Sequence, residues 1–185
     1  MERHNRELKR TRNFISGKRK KSDFELCVMG NFNLFFEQAK EAQDGLSRMA
    51  AQQGLPEHFL CHGELNQHHL LMGPGYTAVI EFNRMHLGVQ TADLYHFIRK
   101  ALEKHGWNLR LGMKMLDSYD RVLPMGKKER EYLYYLFLYP EKYWKQLNFY
   151  HNANKAWIPA RNVEKLRNLE AQQKEREAFL KQIRS

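Results

Sequence analysis

Cysteine is scarce in this chain: Cys27 and Cys61 are the only two among 185 residues. Two thiols without a secretory leader make no disulfide framework, and their spacing matches no zinc module. Long apolar runs are missing as well. Nothing at the N-terminus has the apolar stretch of a signal peptide, and no run of about 18 apolar residues exists, so no membrane span is expected. Synthesis in a reducing cytoplasm is the expectation. Negative charge is in deficit, with 21 Asp and Glu against 31 Lys and Arg, a net charge of +10 and a pI near 9.6. That balance points to acidic partners such as nucleic acid, anionic glycans or acidic proteins, or simply to solubility. What is present is core-forming material, at 42% hydrophobic and 12% aromatic, which excludes wholesale disorder and suggests one domain.

The basic residues crowd into Met1 to Lys21, which carries nine Lys or Arg against two Glu. Residues 1–21 read as a basic helix to about Ile15, a turn at Ser16-Gly17 and the knot Lys18 to Lys21. This is a solvated face or a patch for an acidic partner. Ser22-Asp23 is a helix cap before a long stretch in which Phe24, Cys27, Val28, Phe32, Phe35, Phe36, Ala39, Ala42, Leu46 and Met49 recur at three- and four-residue steps. This core helix is expected to break near Gly30, and its Phe stripe reads as packing. After Gly54 to Pro56 the texture changes to short apolar runs, Phe59 to Cys61, Leu70 to Met72 and Ala78 to Phe82, with Gly73-Pro74-Gly75 as a hairpin turn.

From Thr91 the helical period returns. Leu94, Phe97, Ile98, Ala101 and Leu102 form one face, capped by Thr91 or Asp93. Leu109 to Val122, Gly126 to Leu138, Glu141 to Asn152 and Val163 to Ile183 supply further helices, punctuated by Pro124, Pro140 and Pro159. The fold class is therefore mainly α with a small β hairpin, and residues 91–185 are a helical subdomain. A short sheet holding polar loops on a helical bed is a common way to build a site, which places the candidate site in Cys61 to Arg84.

Within that segment, His62-Gly63-Glu64 precedes His69, and a hairpin leads to Glu81-Phe82-Asn83. Two acidic groups on loops flanking one hairpin can converge. Phosphoryl transfer needs that geometry, with one group accepting the substrate proton and others holding magnesium on the phosphates.

The segment resembles the catalytic and metal loops of the aminoglycoside phosphotransferase and choline kinase superfamily, which carries His-Gly-Asp-x-x-x-x-Asn, a hairpin, and then Asp-x-Asp or Asp-x-Glu. The resemblance implies the C-terminal lobe of a protein-kinase-like fold over residues 1–185. It puts the base position at Glu64, the metal positions at His69 and Glu81, and a loop brace at Asp93, with His62 and Gly63 as frame. His4-Asn5-Arg6-Glu7-Leu8, Asp93 to Lys100, Pro140-Glu141-Lys142-Tyr143-Trp144-Lys145 and Asn152 to Pro159 further resemble the spore coat protein S (CotS) family of endospore-forming bacteria.

The departures sit at the chemistry. Glu64 replaces the aspartate base, and its extra methylene moves the carboxylate by roughly 1.5 Å, where a misplacement of about 1 Å can cost about 10²-fold. His69 replaces an asparagine, and imidazole suits magnesium poorly. Glu81 replaces the metal aspartate, and Asn83 stands where a second acid is usual. A kept frame with changed reactive groups reads as a pseudokinase. No segment ahead of Arg3 supplies the β-rich nucleotide lobe, so the chain is expected to be a lone lobe or one part of a split or truncated gene. No cofactor is expected, and Mg-ATP would bind only if another chain supplied that lobe.

The imidazoles of His58, His62, His68 and His69 suggest a transition-metal site. The plainer expectation is that the first two face the fold and the others form a loop pair. The aromatics from Tyr132 to Trp157 read as packing between helices. The last helix, poor in large apolar residues over Ala171 to Glu177, is expected to dock by its ends or project. The leading function is a non-catalytic coat or assembly protein, located in the spore coat by resemblance and partnered by coat proteins or by itself. The alternative is a small-molecule or saccharide phosphotransferase. No reading helix is recognisable, so nucleic acid is not an expected partner.

Overall fold

The computed structural model describes residues 1–153 and 158–184. The whole Asn-Lys-Ala-Trp motif, Asn154 to Trp157, lies outside the described residues. The elements run α1 (Glu2–Ser16), α2 (Asp23–Gln53), β1 (His58–Cys61), β2 (Leu70–Gly73), β3 (Tyr76–Val79), β4 (His86–Val89), α3 (Thr91–Lys104), α4 (Leu109–Asp120), α5 (Lys127–Leu138), α6 (Glu141–Asn152), α7 (Ala160–Ala171) and α8 (Gln173–Arg184). The chain is mainly helical with small antiparallel ribbons, as the periodicity predicts. Among the described residues, no helix is long and apolar enough to cross a membrane.

Two compact units form. The first comprises Met1–Ser47 and Leu138–Lys174. Its core gathers Leu8 and Ile15 of α1, Phe24, Val28, Phe32 and Phe35 of α2, Tyr143, Leu147 and Tyr150 of α6, and Leu166 of α7, all at most 4% exposed. Tyr143 stacks on Phe35 with ring centroids 4.3 Å apart. Ser22 and Glu25 make a reciprocal capping box: the Ser22 amide donates to the Glu25 carboxylate at 2.7 Å, and the Glu25 amide reaches the Ser22 hydroxyl at 3.5 Å. The expected break near Gly30 does not occur. Gly30 faces solvent, and the apolar residues on both sides of it hold α2 helical against a propensity cost of about 1 kcal/mol.

The second unit comprises Arg48–Phe137 and Glu175–Ser185. Its helical core gathers Ile98, Leu102, Trp107, Leu133, Phe137 and Phe179. Gly112 is required where Phe179 packs, because a Cβ there would lie 2.5 Å from the ring. β1 pairs with β4, aligning His58 with Val89 and Cys61 with His86, and β2 pairs with β3. The hairpin turns on Pro74-Gly75, with Gly75 at φ +78°, as the motif predicts. β4 is an element that the apolar runs did not announce. β3 ends at Val79 and not at Phe82, because Glu81 adopts a left-handed conformation and a 3-10 turn, Phe82–Arg84, follows.

The C-terminal stretch is two helices, not one, with the break at Gln172. Two residues of its apolar-poor middle, Gln173 and Arg176, are buried. In the first unit Gln38 donates to the Gln173 side chain at 2.9 Å. In the second, the Arg176 guanidinium donates to the Phe137 carbonyl at 2.8 Å and lies over the Trp107 ring. Polar groups satisfied in the interior do here what apolar residues do elsewhere, so this stretch neither projects nor docks by its ends alone.

Candidate functional site

The loop that follows β1 is tied to the start of α3. The Asp93 carboxylate accepts the His62 amide at 2.6 Å through Oδ2 and the Gly63 amide at 2.9 Å through Oδ1. Asp93 is 8% exposed, so these are charge-assisted bonds in a sheltered place. Neither Thr91 nor Asp93 caps α3, as the sequence suggested. The cap position is Gln90, which makes no side-chain bond, and the Asp93 carboxylate is spent on the loop.

His62 is buried and bridges two loops. The Glu64 amide donates to its Nδ1 at 3.3 Å, while its Nε2 lies 2.8 Å from the Ile80 carbonyl. Acceptance at Nδ1 requires the tautomer with its proton on Nε2, which then donates to Ile80. One ring thus fixes the distance between the His62–Glu64 loop and the Glu81 loop. Its faces lie against His69, with centroids 5.4 Å apart, and Phe82, 4.9 Å apart. Gly63 sits at φ +81°, where an added Cβ would come within 2.2 Å of the Arg84 carbonyl oxygen. Only glycine permits that approach.

The reactive positions are dressed by their neighbours. Glu64 is exposed and pairs with Arg84, Nε to Oε2 at 3.1 Å. Glu81, at φ 68°, accepts the Asn83 amide at 2.9 Å. A left-handed non-glycine residue carries backbone strain that commonly marks functional loops. The His69 Nδ1 lies 3.2 Å from the Asn66 amide nitrogen, and the His69 carbonyl accepts the Ile80 amide at 3.0 Å. Cys61 lies beneath the loop; burial pushes its thiol pKa up, and the Asp93 charge adds to the rise. A thiol so placed stays protonated and is a poor nucleophile.

Asn66 organises this loop and was missed by the sequence reading. It is 2% exposed. Its Oδ1 accepts the His68 amide at 3.0 Å, and its Nδ2 donates to the Glu64 carbonyl at 2.8 Å. The available signal was an asparagine just ahead of a short polar turn, the usual setting for a side chain that bonds its own backbone. Of the four imidazoles, His62 and His69 come together. His68 is exposed on its turn, and His58 is exposed on β1 and does not face the fold. Among the described residues, no group of three or more His, Cys, Asp or Glu is placed to hold a metal ion.

The basic N-terminal helix is partly self-compensated: Arg3 pairs with Glu7, and Arg6 with Glu2. Lys9 and Arg12 lie over the rings of Phe36 and Phe32. Around this helix the aromatics pack as expected. Trp144 stacks on His4 at 3.5 Å and donates its indole N–H to Glu7 at 2.8 Å, and Tyr139 donates to Asn5 at 3.1 Å.

No family model matches the chain, and no curated protein sequence matches it. A solved structure does: an aminoglycoside phosphotransferase from Alicyclobacillus acidocaldarius, 19% identical, with a TM-score of 0.83 over 99% of this chain and 56% of that one. The chain therefore has the fold found in just over half the length of that phosphotransferase.

Proposed function

We propose that the chain is a non-catalytic, kinase-like C-terminal lobe that serves as a coat or assembly protein in sporulation. The observation that carries this reading is the contrast at the site. The frame of His62, Gly63 and Asp93 is fully bonded, while the two carboxylates that chemistry would need are altered in type and already partnered by Arg84 and Asn83. A base must reach a substrate proton and a metal ligand must present an oxygen at the right place, and here each carboxylate is one methylene longer than the superfamily's aspartate and has one oxygen drawn to a neighbour. Support for an assembly role comes from the second unit, where Leu60, Met72, Tyr76 and Leu87 are each at least 60% exposed on the strands. Large exposed apolar groups on short strands suit contact with other proteins. The sporulation setting rests on the sequence likeness of the Pro140 to Lys145 and His4 to Leu8 segments to spore coat protein S.

Calorimetric titration with Mg·ATP tests the reading. This 185-residue chain is expected to bind no tighter than the millimolar range, and a micromolar dissociation constant overturns the proposal. The bonded frame favours a second reading, a phosphotransferase working with a nucleotide lobe on another chain. The triple variant Glu64→Asp, His69→Asn and Glu81→Asp restores the superfamily pattern and separates the two. The first reading expects no ATP turnover from it, whereas turnover above background moves the protein to the second.

A further inference from the structure

The four strands of the second unit, of four residues each, hold no Lys, Arg, Asp or Glu. Natural sheets guard their open strands with such charges, lysine above all. Among the described residues, seventeen large hydrophobic side chains are exposed, and nine of them fall between Phe59 and Leu87. Two of these face each other across the β1–β4 ribbon: Leu60, 61% exposed, is the register partner of Leu87, 75% exposed. Cross-strand partners share a face, so the pair forms one apolar surface turned to solvent. Apolar surface gathered in this way marks a protein contact site.

Charge selects what covers it. Residues 57–89 carry Glu57, Glu64 and Glu81 against Arg84, three acids to one base and a net charge of −2, in a chain of +10. All four are exposed. The surface that fits is basic, with long side chains whose stems lie on apolar ground and whose heads meet carboxylates. The first unit of this same chain presents one. Residues 1–21 carry nine Lys or Arg against two Glu, a net +7. Arg10, Arg19 and Lys20 are exposed and make no ion pair among the described residues. Phe14, one turn on from Arg10, is 38% exposed. The required chemistry already operates inside this unit, where Lys9 and Arg12 lie over the rings of Phe36 and Phe32.

We infer that copies of this chain associate head to tail, the basic face of α1 and the Lys18 to Lys21 knot of one copy lying on the apolar strand face of the next. Guanidinium groups cover exposed rings such as Phe59 and Tyr76, and Glu57 and Glu81 balance their charge. The two surfaces differ, so each added copy brings a fresh one of each kind, and the assembly grows until it closes on itself. The inference rests on the assembly reading and names its partner as a second copy.

Light scattering on the full chain tests it. At roughly 100 μM, above the micromolar affinity at the weak end for protein interfaces, the mass is expected to rise with concentration to at least twice 22.2 kDa. Leu87→Lys blocks the strand face and leaves α1 intact. The double variant Arg10→Glu, Lys20→Glu does the reverse. Each alone is expected to weaken association by about tenfold or more, through like charges brought together. Mixed in equal amounts, the two should pair one to one through the surface that each retains. The substituted side chains are exposed, and Leu60→Lys or Arg19→Glu tests the same surface should a variant fail to fold. A monomeric parent overturns the inference. So does association that the α1 variant leaves unchanged, which means that strand faces pair with each other, and so does a mixture that stays monomeric. Micromolar Mg·ATP binding is the separate failure of the non-catalytic reading and leaves these masses unchanged.

Discussion

Replacing Asp93 with alanine is expected to destabilise the second unit by about 3 kcal/mol, because two backbone amides lose a charged acceptor worth about 1.5–3 kcal/mol each. For a chain of this size the melting temperature should fall by roughly 6–12 °C. The direct cause is the pair of bonds to the His62 and Gly63 amides at 2.6 and 2.9 Å. A rival cause exists, since Asp93 also lies in the first turn of α3, where a negative charge is favourable by about 0.3–1 kcal/mol. Amide hydrogen exchange separates the two. Loss of the loop bonds speeds exchange at His62 and Gly63, while loss of the helix-end term speeds it at the first amides of α3. Asp93→Asn keeps one strong acceptor and should recover about half the loss. Unchanged exchange at His62 and Gly63 in the alanine variant would show that the carboxylate does not hold the loop in solution.

Much of the helical fold was legible because one physical signal dominates it. The apolar residues of α2 recur on one face from Phe24 to Met49, about seven turns of helix, and a single exposed Gly30 cannot outweigh buried neighbours such as Val28 and Phe32. Sequence reading overvalued the glycine because propensity is visible locally and packing is not. The reverse error occurred at residues 171–177. A segment without large apolar groups looked unfit for burial, yet Gln173 and Arg176 are 8% and 5% exposed and meet hydrogen-bond acceptors there. Which polar residue will find a partner 39 positions away is a tertiary fact. β4 was missed for a similar reason. His86, Leu87 and Gly88 show no apolar alternation, and the strand exists because β1 offers it a ladder.

The candidate site was legible as a set of residues and not as a geometry. Spacing found His62, Glu64, His69, Glu81 and Asp93 and could not say that Arg84 would sit on Glu64 or that Glu81 would turn left-handed. Both follow from the 3-10 turn at Phe82–Arg84, which carries Arg84 back toward the loop after β1. The close approach of Gly63 to the Arg84 carbonyl belongs to the same arrangement. Asn66 escaped because it is neither charged nor in a position of the superfamily pattern used to align the loop.

The buried carboxylate of Glu25 should make the first unit acid-labile. Glu25 is 1% exposed and accepts bonds from the Lys18 ammonium, the Tyr150 hydroxyl and the Ser22 amide. Burial alone raises a carboxyl pKa, but here those three donors outweigh it and hold Glu25 at about 2, against an ordinary value of 4.5. A folded pKa below the unfolded one means that the stabilisation is complete above about pH 4.5 and is lost as pH falls toward about 2. The shift corresponds to about 3 kcal/mol. Glu25→Gln keeps the shape and removes the charge, so at neutral pH it should lower the melting temperature by roughly 6–12 °C. Near pH 2 the parent is itself about half protonated at this position, and the two proteins should nearly converge. Thermal melts from pH 7 down to about pH 2 give both curves, spanning the folded and unfolded values. A constant offset across that range would show that Glu25 contributes packing alone and that the Lys18 and Tyr150 bonds carry no charge-dependent stability.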